Sequence, residues 1–197
     1  VMTEANKYTE GKTVAEVAKI CGEDPFDTFF RLLIEEKSKI QVVVHTQGQE
    51  DTDKVACHPK TCFGSDSMDL STEGLLSIGK PHPRAFGTFG KVFSYYVREK
   101  GMLTFEDAVR KMTYLSAKRL GIDEERGLLK KDYYADIVVF DPDQICDKAT
   151  YEDPKQYTVG VEYVLVNGQI ALENGKQTDV CAGRVIRNPH RFGDQKK

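Results

Sequence analysis

Two short apolar runs on either side of a polar stretch constrain this chain more than any other feature. Residues 40–45, IQVVVH, are β-branched and almost continuously apolar, as in a strand buried on both faces. Residues 49–57 are polar with helical character, and residues 61–64, TCFG, are apolar again. The order strand, helix, strand predicts a parallel pair joined by a right-handed crossover. In such sheets and barrels the chemistry gathers at the carboxyl ends of the strands. Asp66 stands at that end of the second run, and His45 ends the first. An aspartate there can bind a metal or move a proton, or it can merely cap the next helix, and position alone leaves these open. A lone histidine at this place reads as a hydrogen-bonded wall residue.

The stretch ACHPKTCFGSDSMD, residues 56–69, also offers Cys57, His58 and Cys62 as soft ligand types. A structural zinc site needs four ligands, usually in two tight pairs, and no second pair such as CxxC or HxxxH follows. Cys62 inside TCFG therefore reads as a small buried hydrophobe. The other cysteines, Cys21, Cys146 and Cys181, are scattered, so no disulfide framework is implied, and a reducing, cytoplasmic setting is expected. A net charge of −3 argues against a nucleic-acid surface, and no run is long and apolar enough for a signal peptide or membrane span. The tail NPHRFGDQKK reads as loosely held.

Local signals punctuate the rest. Thr13 to Glu16 is a capping box with Gly22 as the stop. Asp24 as N-cap with Pro25 behind it opens a second helix, whose Phe26, Phe29, Phe30, Leu33 and Ile34 form an apolar stripe. Phe89, Val92, Phe93, Tyr96 and Val97 mark another, ending at Gly101. One more runs from Thr104 to Gly121 on Phe105, Ala108, Val109, Met112, Leu115 and Leu120. After Gly127 the texture turns to strands: ADIVVFD, then VEYVLVNGQIAL, a hairpin with Asn167-Gly168 in a type I′ turn, then a turn at Asn174-Gly175. Between Asp66 and these helices lies GKPHPRAFGTF, stiffened by Pro81 and Pro83. In this loop Arg84 suits an anionic ligand or a structural ion pair, and His82 a pocket wall or a turn hydrogen bond.

The ordered succession GSDSMDL, KPHPRAFGTF, YYVREKGMLTFEDAVRKMT, SAKRLGI, ADIVVFDP and VLVNGQ resembles the carboxyl-terminal region of N-acyl-D-amino-acid deacylases (D-aminoacylases) of the amidohydrolase superfamily. The resemblance implies an α/β fold: the carboxyl-terminal part of a metal-dependent (β/α)8 barrel over residues 1–120, then part of a small β-sandwich over residues 121–197. It makes Asp66 the aspartate at the end of the last barrel strand, both metal ligand and proton carrier. Zinc would lower the pKa of a bound water, whose proton Asp66 takes and passes to the departing amine. Arg84 and His82 would lie over the pocket as substrate-binding residues, Arg84 against the carboxylate of an N-acyl-D-amino acid.

The departures from the family matter equally. This chain has only His45, His58, His82 and His190 and no HxH pair, so most zinc ligands are missing, and two strands cannot close an eight-stranded ring. The expectation is a carboxyl-terminal portion of a deacylase, inactive alone, which pairs with a missing amino-terminal segment or with itself. Two alternatives remain at this point. One is an amidohydrolase of cyclic amides, hydantoinase-like or dihydroorotase-like; the other is a non-catalytic binding or assembly module.

Overall fold

The capping signals translate directly into helices in the structure, a computed structural model that describes residue 1 and residues 3–77 and 79–187. A 3-10 helix, Glu4–Thr9, precedes α1, Val14–Cys21. Thr13 and Glu16 form the reciprocal capping box, and Gly22 closes α1 in the left-handed conformation at φ 70°. Asp24 accepts a hydrogen bond from the Phe26 amide and starts α2, Pro25–Glu35, with Pro25 in the first turn. The buried Glu36 carboxylate receives the Thr3 amide at 3.1 Å and Asn6 Nδ2 at 2.8 Å, tying the opening 3-10 helix to the end of α2. The apolar stripe of α2 does not form core. Thr28 and Leu32 are the buried residues, whereas Phe26 and Ile34 are 75% and 77% exposed. Periodicity finds a stripe but not what covers it.

Helix α3, Gln49–Cys57, matches the polar stretch. The two apolar runs beside it are a correction: residues 40–45 and 61–64 form no strand, so the expected parallel pair is absent among the described residues. An apolar segment becomes a strand only when a neighbour accepts and donates along its length, and neither run finds one among the described residues. Val42 and Val44 are exposed, and Cys62 is half-buried instead of core.

Arg84 opens α4, Arg84–Lys91, which runs straight into a π-helix, Val92–Glu99. The long helix expected after Thr104 is two, α5, Phe105–Met112, and α6, Tyr114–Leu120, broken at Thr113 where ψ reaches −89°. Four strands follow: β1 (Ile137–Phe140), β2 (Val161–Val166), β3 (Gln169–Glu173) and β4 (Lys176–Gln177), an antiparallel sheet in sequence order. Asn167 and Gly168, at φ 50° and 80°, make the expected I′ turn between β2 and β3. Arg126 secures that turn: its guanidinium pairs with Asp136, donates to Asn167 Oδ1 at 2.6 Å and lies 4.1 Å over the Tyr134 ring. The tail from 188 onward, His190 included, lies outside the described residues. Among those described, no helix is long and apolar enough to cross a membrane.

One core joins helices to strands. Val92, Phe93 and Ala108 bury against Ile145, with Phe140 and Val161 packed on the same cluster. Close approach requires glycine here: a Cβ on Gly90 would lie 2.8 Å from the Asp147 backbone nitrogen and 2.7 Å from Thr158 Oγ1. Ser94 Oγ donates to Asp147 Oδ1 at 2.7 Å, and Arg98 donates to the Pro142 and Ile145 carbonyls at 2.9 and 2.5 Å. The end of α4 and the π-helix are thereby fixed against residues 142–158.

Candidate functional site

Asp66 is carried by a segment anchored at two points although it is not a strand. Phe63 packs against Tyr96 with ring centroids 5.9 Å apart, in the cluster with Ala56 and Leu103. The other anchor is Lys111, only 1% exposed. Its ammonium donates to the Ala56 carbonyl at 2.9 Å, to the Thr61 carbonyl at 3.1 Å and to the His58 carbonyl. These three acceptors are the end of α3 and the turn after it, so one side chain fastens the route from α3 to Asp66. Asp66 itself has φ 48°, a left-handed conformation that aspartate adopts more readily than most residues through its short polar side chain.

Arg84 reaches Asp66 from the first turn of α4. Its Nη2 donates to Asp66 Oδ2 at 2.6 Å and to the Asp66 carbonyl at 3.2 Å. The side chains of this pair are 48% and 86% exposed. An open ion pair of this sort is worth at most about 1 kcal/mol, so a ligand carboxylate can replace Asp66 on the guanidinium at little cost. His82 Nδ1 accepts the Arg84 amide at 3.0 Å, satisfying a donor that the helix start would leave unpaired. Because Nδ1 is an acceptor, the neutral ring carries its proton on Nε2, which stands 3.1 Å from the Tyr151 hydroxyl. Tyr151 also lies between the two histidine rings, with centroids 5.0 Å from His45 and 5.1 Å from His82.

These residues surround a cavity of about 680 Å3. Among the described residues its charged lining is Lys80, Arg84, Lys91 and the single carboxylate Asp66, a positive excess in a chain whose net charge is −3. Such a cavity favours an anionic ligand. The structure thus places Asp66, Arg84 and His82 together, with His45 as a wall residue. His58 lies elsewhere: its ring takes the Lys60 amide at 3.3 Å in the turn after α3. Neither Tyr151 nor Lys111 carried a sequence signal. Tyr151 sits 69 residues from its partner, and Lys111 has the pattern of any solvent-facing lysine on an amphipathic helix.

The donor set does not make a metal site by itself. Asp66 is the one carboxylate at the cavity, and no group of three His, Cys, Asp or Glu side chains is disposed to hold an ion among the described residues.

Burial, and after it the positive charge of Arg84, with smaller contributions from His45 and Lys91, holds the His82 pKa below its ordinary 6.5. The native state therefore favours the neutral ring. Its stabilisation is complete above pH 6.5 and is lost as pH falls from there through the lower native value. The urea midpoint should drop across this window, and His82→Gln should flatten the drop. An unchanged pH profile in the variant would show that other groups control it.

Comparison with known proteins places these features in a family. Residues 7–172 match the model described as "Amidohydrolase family". The chain is 35% identical over 176 residues to a D-aminoacylase of Alcaligenes xylosoxydans xylosoxydans, covering 89% of this chain and 34% of that protein. An N-acyl-D-glutamate deacylase of the same organism is 37% identical over 177 residues, 90% of this chain and 33% of that one. In three dimensions, the N-acyl-D-glutamate deacylase of Bordetella bronchiseptica, solved with zinc and a phosphonate mimic of the tetrahedral intermediate, superimposes with a TM-score of 0.73 at 34% identity, covering 84% of this chain and 32% of that one. The chain spans about a third of the length of the curated relatives it matches.

Proposed function

The chain belongs to the amidohydrolase family, and we propose that it supplies the proton-transfer carboxylate and the substrate-binding arginine of an N-acyl-D-amino-acid deacylase. The observation that carries this reading is the Asp66–Arg84 pair, capped by His82, at one wall of a cationic cavity. Arg84 binds the substrate carboxylate in a two-pronged contact, which only a planar guanidinium can make. That exchange releases Asp66 from its ion pair. Asp66 then takes the proton of the water that attacks the amide carbonyl and returns a proton to the amine as the C–N bond breaks, giving a carboxylic acid and a D-amino acid. His82 stays neutral and holds the Arg84 amide.

Zinc is present in the Bordetella relative, and we propose it here with Asp66 as one ligand. The remaining ligands would come from outside these residues. In the same reading, residues 1–120 belong to a (β/α)8 barrel and residues 121–197 to a β-sandwich. The runs 40–45 and 61–64 would gain ladder partners from a further segment or from another copy of the chain, a completion that the exposed valines of the first run favour.

Arg84→Ala tests the assignment. In the active deacylase it should lower kcat/KM for N-acetyl-D-amino acids by about 10- to 100-fold, the loss of a charge-assisted contact, and leave amide-capped analogues nearly untouched. Equal losses on both substrates would refute it.

A further inference from the structure

Tyr151 belongs to neither the motifs nor the acid–base chemistry, yet it is the residue on which the candidate site closes. It comes from the segment between β1 and β2, far in sequence from the other cavity residues, and its ring fills the space between His45 and His82. Phenylalanine would supply those ring contacts equally well. What the hydroxyl adds is an acceptor for the His82 Nε2 proton at 3.1 Å. A histidine whose two nitrogens are both engaged has one tautomer and one ring orientation.

From this geometry we propose that Tyr151 is a positioning residue for Arg84: its hydroxyl fixes the His82 ring, His82 Nδ1 fixes the Arg84 amide, and the first turn of α4 thereby presents the guanidinium to the cavity. The chain of contacts is continuous, from the Tyr151 hydroxyl to His82, to the Arg84 amide at 3.0 Å, to Asp66 Oδ2 at 2.6 Å. Its base is also rigid. Gly87 and Gly90 let α4 press against Asp147 and Thr158, which bracket the Tyr151 segment, and the Lys155 ammonium donates to the Ser77 carbonyl at 2.7 Å on its far side. The segment between β1 and β2 thus sets where the carboxylate of a ligand is received. This role rests on the deacylase reading only for the identity of that ligand; the clamp itself does not.

The test has two arms. In the 197-residue chain with 15N-labelled histidine, assigned by comparison with His82→Gln, the His82 ring should show an unprotonated Nδ1 and a protonated Nε2 whose proton exchanges slowly with water. Tyr151→Phe should leave the unfolding midpoint unchanged while the Nε2 proton and the Arg84 amide exchange at least about ten-fold faster. In the active deacylase the same variant should raise KM for carboxylate substrates about 2- to 10-fold, the scale of one hydrogen bond, with kcat changed less than about two-fold. A His82 ring protonated on Nδ1, or exchange unaltered by Tyr151→Phe, overturns the clamp. Altered exchange with unaltered KM overturns the positioning role. Because the first arm contains no substrate, it stands or falls independently of the reaction assigned to the cavity.

Discussion

Lys111→Met is expected to destabilise the fold by roughly 2–4 kcal/mol, measured by chemical denaturation. Lys111 is 1% exposed and its ammonium holds three carbonyls, and methionine fills a similar volume without a donor. Each carbonyl left buried and unpaired costs about 1–3 kcal/mol. Two effects reduce the sum. Desolvating the ammonium is itself expensive, which is why burial, followed by repulsion from Arg110, depresses its pKa, and that cost vanishes in the variant. The His58 carbonyl also retains the Thr61 amide at 3.1 Å. A loss under about 1 kcal/mol would show that water reaches these carbonyls. The functional corollary is local: with the turn at residues 58–61 released, the path to Asp66 loses one of its two anchors.

Asp66→Asn is expected to lower turnover by at least about two orders of magnitude in the active deacylase, the scale of losing a general base. The amide side chain keeps the size and can still accept a hydrogen bond from Arg84, so folding should be preserved. On the proposed reading KM should change little, because Arg84 and not Asp66 would hold the carboxylate of the substrate. A variant that retains more than about a tenth of the turnover would remove Asp66 from the proton-transfer role.

What could be read from the sequence and what could not divide along a physical line. Thr13, Glu16 and Gly22 act within one turn of their own helix, so the bounds of α1 follow from a few neighbouring residues. Asn167 and Gly168 likewise fix their turn by their own backbone preferences. Asp66, Arg84 and His82 stand out through an ordered set of motifs, and the structure brings the three together. The misses need a partner that the local sequence does not contain. The valines of residues 40–45 are strand-like only beside another strand, and the α2 stripe is core only if something packs on it. Lys111 is buried because three carbonyls converge on it from 50 or more residues away, and Tyr151 meets His82 across 69.

The π-helix at Val92–Glu99 has a consequence for how length differences between relatives should be read. Its wider turn shows in the hydrogen bond from the Lys100 amide to the Tyr95 carbonyl, five residues back, and it holds more residues per turn than an α-helix. Deleting a single residue there would let the helix relax to the α form. Because the wider turn holds its extra residue without turning the flanks out of phase, the segments on either side would keep their faces. The same deletion inside α4 would instead rotate one side against the other by about 100°, so that Val92 and Phe93 left the core or Arg84 left the cavity. An alignment records such an event as one gap in an apolar helix, the mildest mark it can make. Where that gap falls, in the wide turn or in α4, decides whether the guanidinium at the cavity keeps its aim or loses it.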